Sequence, residues 1–234
     1  MIYQAIDSIR FIQIYLVQGF MSILYFFMAG LIIHRDKKRL NITLTGFYLF
    51  IGIAGTINFV YALLPQPSLV YILHFITYYL YCYGIGFLLL FVLILLKSEN
   101  VISLKIELSF LLIYAILLFI LWFIPGGITI DETTGWKPVW SWGFTIYAMI
   151  VCSGVIIPTI IFSIQTYRKF DNTQLRKKWL FFIIGCIEFF YLYYGTTISN
   201  GLANPGFRTL WAYISLISVP GLIFIYFGVG KQLK

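Results

Sequence analysis

Apolar positions in this chain neither alternate nor mark out one face of a helix. They run on for about 20 residues at a time, with short polar breaks between the runs. The runs fall at 11–33, 43–64, 69–96, 106–124, 140–166, 179–200 and 209–229. A hydrocarbon core of ~30 Å is crossed by about 20 helical residues whose backbone groups bond within the helix, so each run predicts a membrane-spanning helix. The expected fold is all-α: an integral membrane bundle of seven transmembrane helices, with residues 1–234 forming one domain.

Composition sharpens that expectation. The chain is 61% hydrophobic and 10% charged, against about a quarter charged in an ordinary soluble domain. The lipid bilayer is therefore the first expected partner. Seven runs use most of the 234 residues, which leaves no room for a separate catalytic module, and no enzyme activity is expected. Cys82, Cys152 and Cys186 all lie inside runs without paired spacing, so they read as small apolar packing residues rather than a disulfide or zinc framework. No metal or other cofactor is expected. A retinal Schiff base has no attachment point, because no lysine lies mid-run.

Charge adds orientation. The net charge is +8, yet the basic residues flank apolar runs, which points to topology rather than nucleic acid. Thirteen of the 16 fall in alternate connections: Arg35 to Arg39, Lys97 and Lys105, Arg168 to Lys178, and Lys231 with Lys234. Arg10, Lys137 and Arg208 remain for the other side. The positive-inside rule then puts the amino terminus outside the cell membrane and the carboxyl terminus in the cytoplasm. The first run is too long for a signal-peptide core and ends in basic residues, so it is expected to be retained. Five tryptophans (Trp122, Trp136, Trp140, Trp142 and Trp211) fall at expected outer helix ends and Trp179 at an inner one, the level of the headgroups.

One outer connection is long. After Pro125-Gly126-Gly127, apolar Ile128 and Ile130 precede a turn-like Asp131 to Gly135 and then Trp136 to Trp140, a pattern that predicts a small hairpin. It either covers the outer mouth of the bundle or lies on the headgroups.

Glu188 is the candidate for chemistry, a carboxyl near the bilayer midplane. A charge there costs roughly 2.5–3.5 kcal/mol, so it should face the bundle interior. Tyr15, Gln18, Ser22 and Tyr25, and likewise Tyr71, His74, Tyr78 and Tyr81, recur at helical spacing. With Asn58 and Tyr191 they describe a polar, aromatic cavity in the outer half, suited to a small amphipathic ligand. The candidate ligand-binding set is Glu188, His74, Tyr78, Asn58, Gln18 and Tyr191, and His74 is placed to pair with Glu188. Pro158 and Pro220 are candidate hinges. Glu107, beside Lys105, reads as a snorkelling residue. Gly52, Gly55, Gly185 and Gly195 permit close helix contact.

Gly135-Trp136-Lys137-Pro138-Val139-Trp140, the proline-bearing fifth run, the Tyr167-Arg168-Lys169 and Leu175-Arg176-Lys177-Lys178 connection and Ile184-Gly185 together resemble the seven-transmembrane sensor region of prokaryotic histidine kinases. The resemblance is one of pattern, and it implies a receptor-like input module. With the chain ending at Lys234, a signal is expected to pass to a separate cytoplasmic or membrane partner. The leading expectation is a multi-pass sensor that binds a small or lipid-like ligand in its outer half and shifts its fifth to seventh helices. Two other readings fit the same residues: a small proton-coupled transporter working through Glu188, and a non-catalytic membrane scaffold subunit.

Overall fold

The structure is a computed structural model that describes residues 12–64 and 66–230. The first residue of the first expected run, Arg10, Lys231 and Lys234 lie outside the described residues. A π-helical turn, Ile12–Gln18, leads into α1 (Gly19–Arg35). Then come α2 (Arg39–Tyr61), α3 (Pro67–Lys97) and α4 (Leu104–Phe119), the last extended by a 3-10 turn, Ile120–Phe123. A hairpin of β1 (Ile128–Thr129) and β2 (Val139–Trp140) precedes α5 (Trp142–Lys169) and α6 (Thr173–Leu202). The last run is broken into α7 (Pro205–Ile214), a 3-10 segment Ser215–Ser218, α8 (Val219–Ile225) and a π-helical turn Tyr226–Gly230.

Six stretches are long and apolar enough to cross a membrane, residues 39–61, 67–97, 104–123, 142–169, 173–202 and 205–229. At 17 residues, α1 is shorter than these. The surface they present is apolar: Ile23, Phe123 and Ile150 are 66–67% exposed, a distribution that lipid, not water, accommodates. This is a multi-pass, all-α membrane protein.

The helices α4, α6 and α7 begin earlier than hydropathy alone locates them and α5 two residues later, because a polar cap, not an apolar residue, starts each one. The side chains of Ser103, Ser141, Asn172 and Asn204 accept hydrogen bonds from backbone N–H groups of the first turns that follow. In α6 the first turns, including Arg176, Lys177 and Lys178, are exposed while Trp179 is buried. The helix thus continues through charge into water.

The interior is aromatic, with Tyr48, Phe91, Phe144 and Phe182 fully buried and Phe47 packed edge-on to Phe189 at 5.2 Å. Trp140 and Trp179 belong to this interior, each 3% exposed. Their indole N–H groups find buried acceptors, Trp140 donating to His74 Nε2 at 3.2 Å and Trp179 to the Ser163 carbonyl at 2.7 Å. For these two the headgroup expectation is corrected; Trp142, 59% exposed, keeps an outward position.

Small residues close the seam between α6 and the last run. A Cβ on Gly185 would lie 2.5 Å from the Gly221 carbonyl, and one on Gly195 would run into the Trp211 ring. Pro158 sits inside α5, where it removes the bond to the Gly154 carbonyl. Just beyond it, the Thr159 and Ser163 hydroxyls donate to the Val155 and Thr159 carbonyls. Pro220 lies in the first turn of α8 rather than in a helix interior, a position that tolerates proline.

At the basic end Glu107 is buried, 7% exposed, and Arg39 Nε donates to its Oε2 at 2.7 Å. The snorkelling expectation for Glu107 is thereby corrected, since a partner from α2, remote in sequence, draws the carboxylate inward.

Candidate functional site: a cavity under the hairpin

The hairpin pairs Ile128 with Trp140 and Thr129 with Val139, antiparallel. Asp131 closes its turn, accepting from the Thr134 backbone N–H at 3.1 Å while the Thr134 hydroxyl accepts from the Asp131 N–H. Gly135 and Trp136 then take left-handed backbone angles, φ 59° and 57°. For glycine that carries no steric cost; for tryptophan it does, and the strain turns residues 137–140 back over the bundle. The Thr133 hydroxyl donates to Asp131 at 2.6 Å, which together with the backbone bonds holds this carboxyl below its usual range. Arg208, in the first turn of α7, donates to the Pro138 carbonyl and ties the hairpin to the last run.

Beneath the hairpin is a cavity of about 1080 Å³, large enough for a drug-sized ligand. Its walls come from α1, α2, α3, α6 and the last run; α4 and α5 contribute no lining residue. The lining includes the break in the last run, with Ser215, Leu216, Ser218 and Val219 all facing the space.

Four of the six residues singled out in the sequence meet here: Gln18, Asn58, His74 and Tyr78. Gln18, the last residue of the π-helical turn before α1, bonds Asn58 on α2. His74 is clamped, with Nδ1 against the Tyr61 hydroxyl at 2.8 Å and Nε2 accepting from Trp140. Because an indole nitrogen only donates, Nε2 carries no proton, and the ring is a neutral Nδ1–H tautomer that donates to Tyr61. The Tyr193 hydroxyl donates to the Ala148 carbonyl at 3.0 Å, so Tyr78 is the donor in the 3.0 Å Tyr78–Tyr193 pair.

Glu188 and Tyr191 are not among the lining residues. Glu188 lies in the seam between α6 and α8, so close to Gly221 that a Cβ there would stand 2.9 Å from Oε2. That oxygen is buried without a hydrogen-bond partner, and the partners of His74 named above are Tyr61 and Trp140. Tyr191 is 40% exposed and packs on Trp211 at 5.1 Å between ring centres.

Thr77, Tyr81 and Thr197 belong together, and of the three the sequence pattern left out only Thr77. Each lines the cavity and carries a buried hydroxyl without a partner. Tyr81 stands in the stripe on the third run and Thr197 with Tyr191 and Tyr194 on the sixth, whereas a lone threonine such as Thr77 leaves no periodic mark of its own.

Fold and site together define a class, a multi-pass helical membrane protein with a roofed, mostly uncharged cavity at one end of the bundle. No protein-family model matches the chain, and neither curated proteins nor solved structures yield a match.

Proposed function

We propose that this protein is a seven-helix membrane sensor, with residues 12–35 as the first crossing, the amino terminus outside and the carboxyl terminus cytoplasmic. A small or lipid-like ligand occupies the cavity, and the response passes along the last run to a signalling partner at the basic end. The observation that carries this reading is the position of the break. Ser215, Leu216 and Ser218 line the cavity from within the 3-10 segment that interrupts the last helix, with Val219 beside them, so a bound ligand touches the least regular part of the segment that leads to the other end. A ligand shifts a conformational equilibrium only through contacts that differ between the two states, and a 3-10 segment between two α-helical ones has regular helix as its alternative.

The test is hydrogen–deuterium exchange of the protein in lipid nanodiscs with octyl-chain probes carrying neutral, anionic or cationic heads. A probe that occupies the cavity is expected to slow exchange at 215–219 and to change it at 222–230. Filling the cavity with Ala212→Phe is expected to abolish both effects. Exchange that is unaltered by every probe would overturn the reading.

A further inference from the structure

Six helical threonines of this protein share one bonding pattern, and two threonines with buried hydroxyls in the cavity depart from it. Thr43, Thr56, Thr145, Thr159, Thr166 and Thr209 each donate to the backbone carbonyl four residues earlier, the usual way a hydroxyl is satisfied in an apolar helix. Thr77 and Thr197 do not: their hydroxyls are buried without a partner, and both line the cavity. Thr45 also lacks a partner but is not a lining residue. The Tyr81 hydroxyl is buried, unpartnered and lining as well. Thr77 and Tyr81 are four residues apart on α3, hence on one face, and Thr197 adds α6 to the same space. A buried polar group left unmade is costly, and three in one cavity mark where a ligand supplies the missing bonds.

Several other polar lining residues are bonded within the protein. Gln18 bonds Asn58, Ser22 donates to the Gln18 carbonyl, and Tyr78 is committed to Tyr193. Among the described lining residues the charged side chains are Lys137 and Arg208, and both already have partners. Glu188 stands outside the cavity lining. A cationic head would find no acidic side chain among the described lining residues and would be desolvated at a large cost, while an anionic head would be drawn to Lys137 and Arg208 at the hairpin instead of to the three hydroxyls.

We propose, resting on the ligand-binding reading above, that the cavity selects an uncharged amphiphile whose hydroxyl, ester or carbonyl oxygens are held by Thr77, Tyr81 and Thr197. Each of these side chains both donates and accepts, which matches a neutral oxygen-rich head and not a carboxylate or an ammonium.

The experiment uses the full chain in nanodiscs and three probes of one chain length: 1-octanoylglycerol, octanoate and octylamine. Unfolding temperature is followed by intrinsic fluorescence. 1-Octanoylglycerol is expected to raise Tm saturably, by several degrees at about 100 times its Kd, and the charged probes are not. The double variant Thr77→Val/Tyr81→Phe is expected to weaken 1-octanoylglycerol by roughly tenfold, as is Thr197→Val taken separately. Ligand-free Tm in these variants is expected to hold or rise, because each removes an orphaned hydroxyl. A purely structural role would instead lower ligand-free Tm and leave Kd unchanged, which would overturn the proposal. Stabilisation by octanoate or octylamine instead of the glyceride would overturn the ligand class while the cavity reading stands. No response to any probe would overturn both.

Discussion

Arg39 and Glu107 are 68 residues apart in sequence, yet the guanidinium Nε of one lies 2.7 Å from a carboxylate oxygen of the other at the basic end of the bundle. The second carboxylate oxygen accepts from the Thr43 hydroxyl at 2.9 Å, and the same guanidinium reaches the Glu99 carbonyl at 3.4 Å. Both side chains are largely out of solvent, 19% and 9% exposed. The starts of α2 and α4 are thereby locked to each other beside the α3–α4 connection.

Removing one member of such a pair leaves a charge stranded away from water, a loss of about 3 kcal/mol. Arg39→Ala and Glu107→Ala are each expected to lower unfolding stability on that scale. The double variant is expected to lose clearly less than the two singles combined, since no stranded charge remains. Titration with a denaturing detergent measures all three; additive losses would show that the pair is not coupled.

This contact also shows where sequence reading stops. Glu107 stands two residues from Lys105 at the start of an apolar run, and nothing local reveals that its partner lies on another helix. Run lengths, the hairpin and the glycine-lined seam at Gly185 were legible because each depends on neighbours in sequence or on absolute hydropathy. Trp140 and Trp179 were misplaced for the opposite reason: an indole at a helix end is suited equally to a headgroup and to a buried acceptor, and only tertiary packing decides. The cavity was legible from α1, α2 and α3, where tyrosine and amide stripes mark it. Glu188 pointed to the wrong space, because a polar residue in an apolar helix shows that it needs shelter but not which seam provides it.

Glycine positions separate close packing from open surface. Gly185→Ala puts a methyl 2.5 Å from the Gly221 carbonyl and is expected to destabilise by about 1–3 kcal/mol. A Cβ on Gly154, in α5, meets nothing within 4 Å, so Gly154→Ala is expected to be neutral or to stabilise by up to about 1 kcal/mol. Thermal unfolding of the two variants side by side checks the contrast; equal losses would contradict the seam.

The hairpin turn is expected to respond to acid. The Thr133 hydroxyl, then backbone N–H groups, favour the ionised form of Asp131 and depress its folded pKa below the ordinary value of about 4. A depressed folded pKa gives stability that is complete above the unfolded value and lost as pH falls through the folded one. Order in residues 131–136 is therefore expected to be independent of pH above about 5 and to loosen below about 4. Asp131→Asn is expected to abolish the dependence. Exchange protection of the Thr134 amide between pH 3 and 6 reads it directly, and an identical profile in both proteins would rule it out.

The clamp on His74 makes a spectroscopic prediction. With Nε2 accepting from Trp140 and Nδ1 donating to Tyr61, nitrogen NMR of labelled histidine is expected to show a neutral Nδ1–H ring. That tautomer is the minor one in water, so the protein must impose it. Trp140→Phe removes the indole donor to Nε2 and is expected to let the ring exchange tautomers. An Nε2–H ring in the unaltered protein would refute the assignment.

Glu188 separates a sensor from a proton-coupled transporter. Its carboxyl is wedged against Gly221 in the α6–α8 seam and is absent from the cavity lining, so a substrate in the cavity would not exchange protons with it by direct contact. Glu188→Gln preserves the shape of the side chain and is expected to leave the affinity for 1-octanoylglycerol unchanged within about twofold. Gly221→Ala, which forces a methyl to within 2.8 Å of the Glu188 Cβ, is expected to destabilise by about 1–3 kcal/mol and to change hydrogen exchange along 222–230. In proteoliposomes a pH gradient is expected to drive no uptake of 1-octanoylglycerol. Gradient-driven uptake that disappears in Glu188→Gln would make the seam a proton path and the protein a transporter.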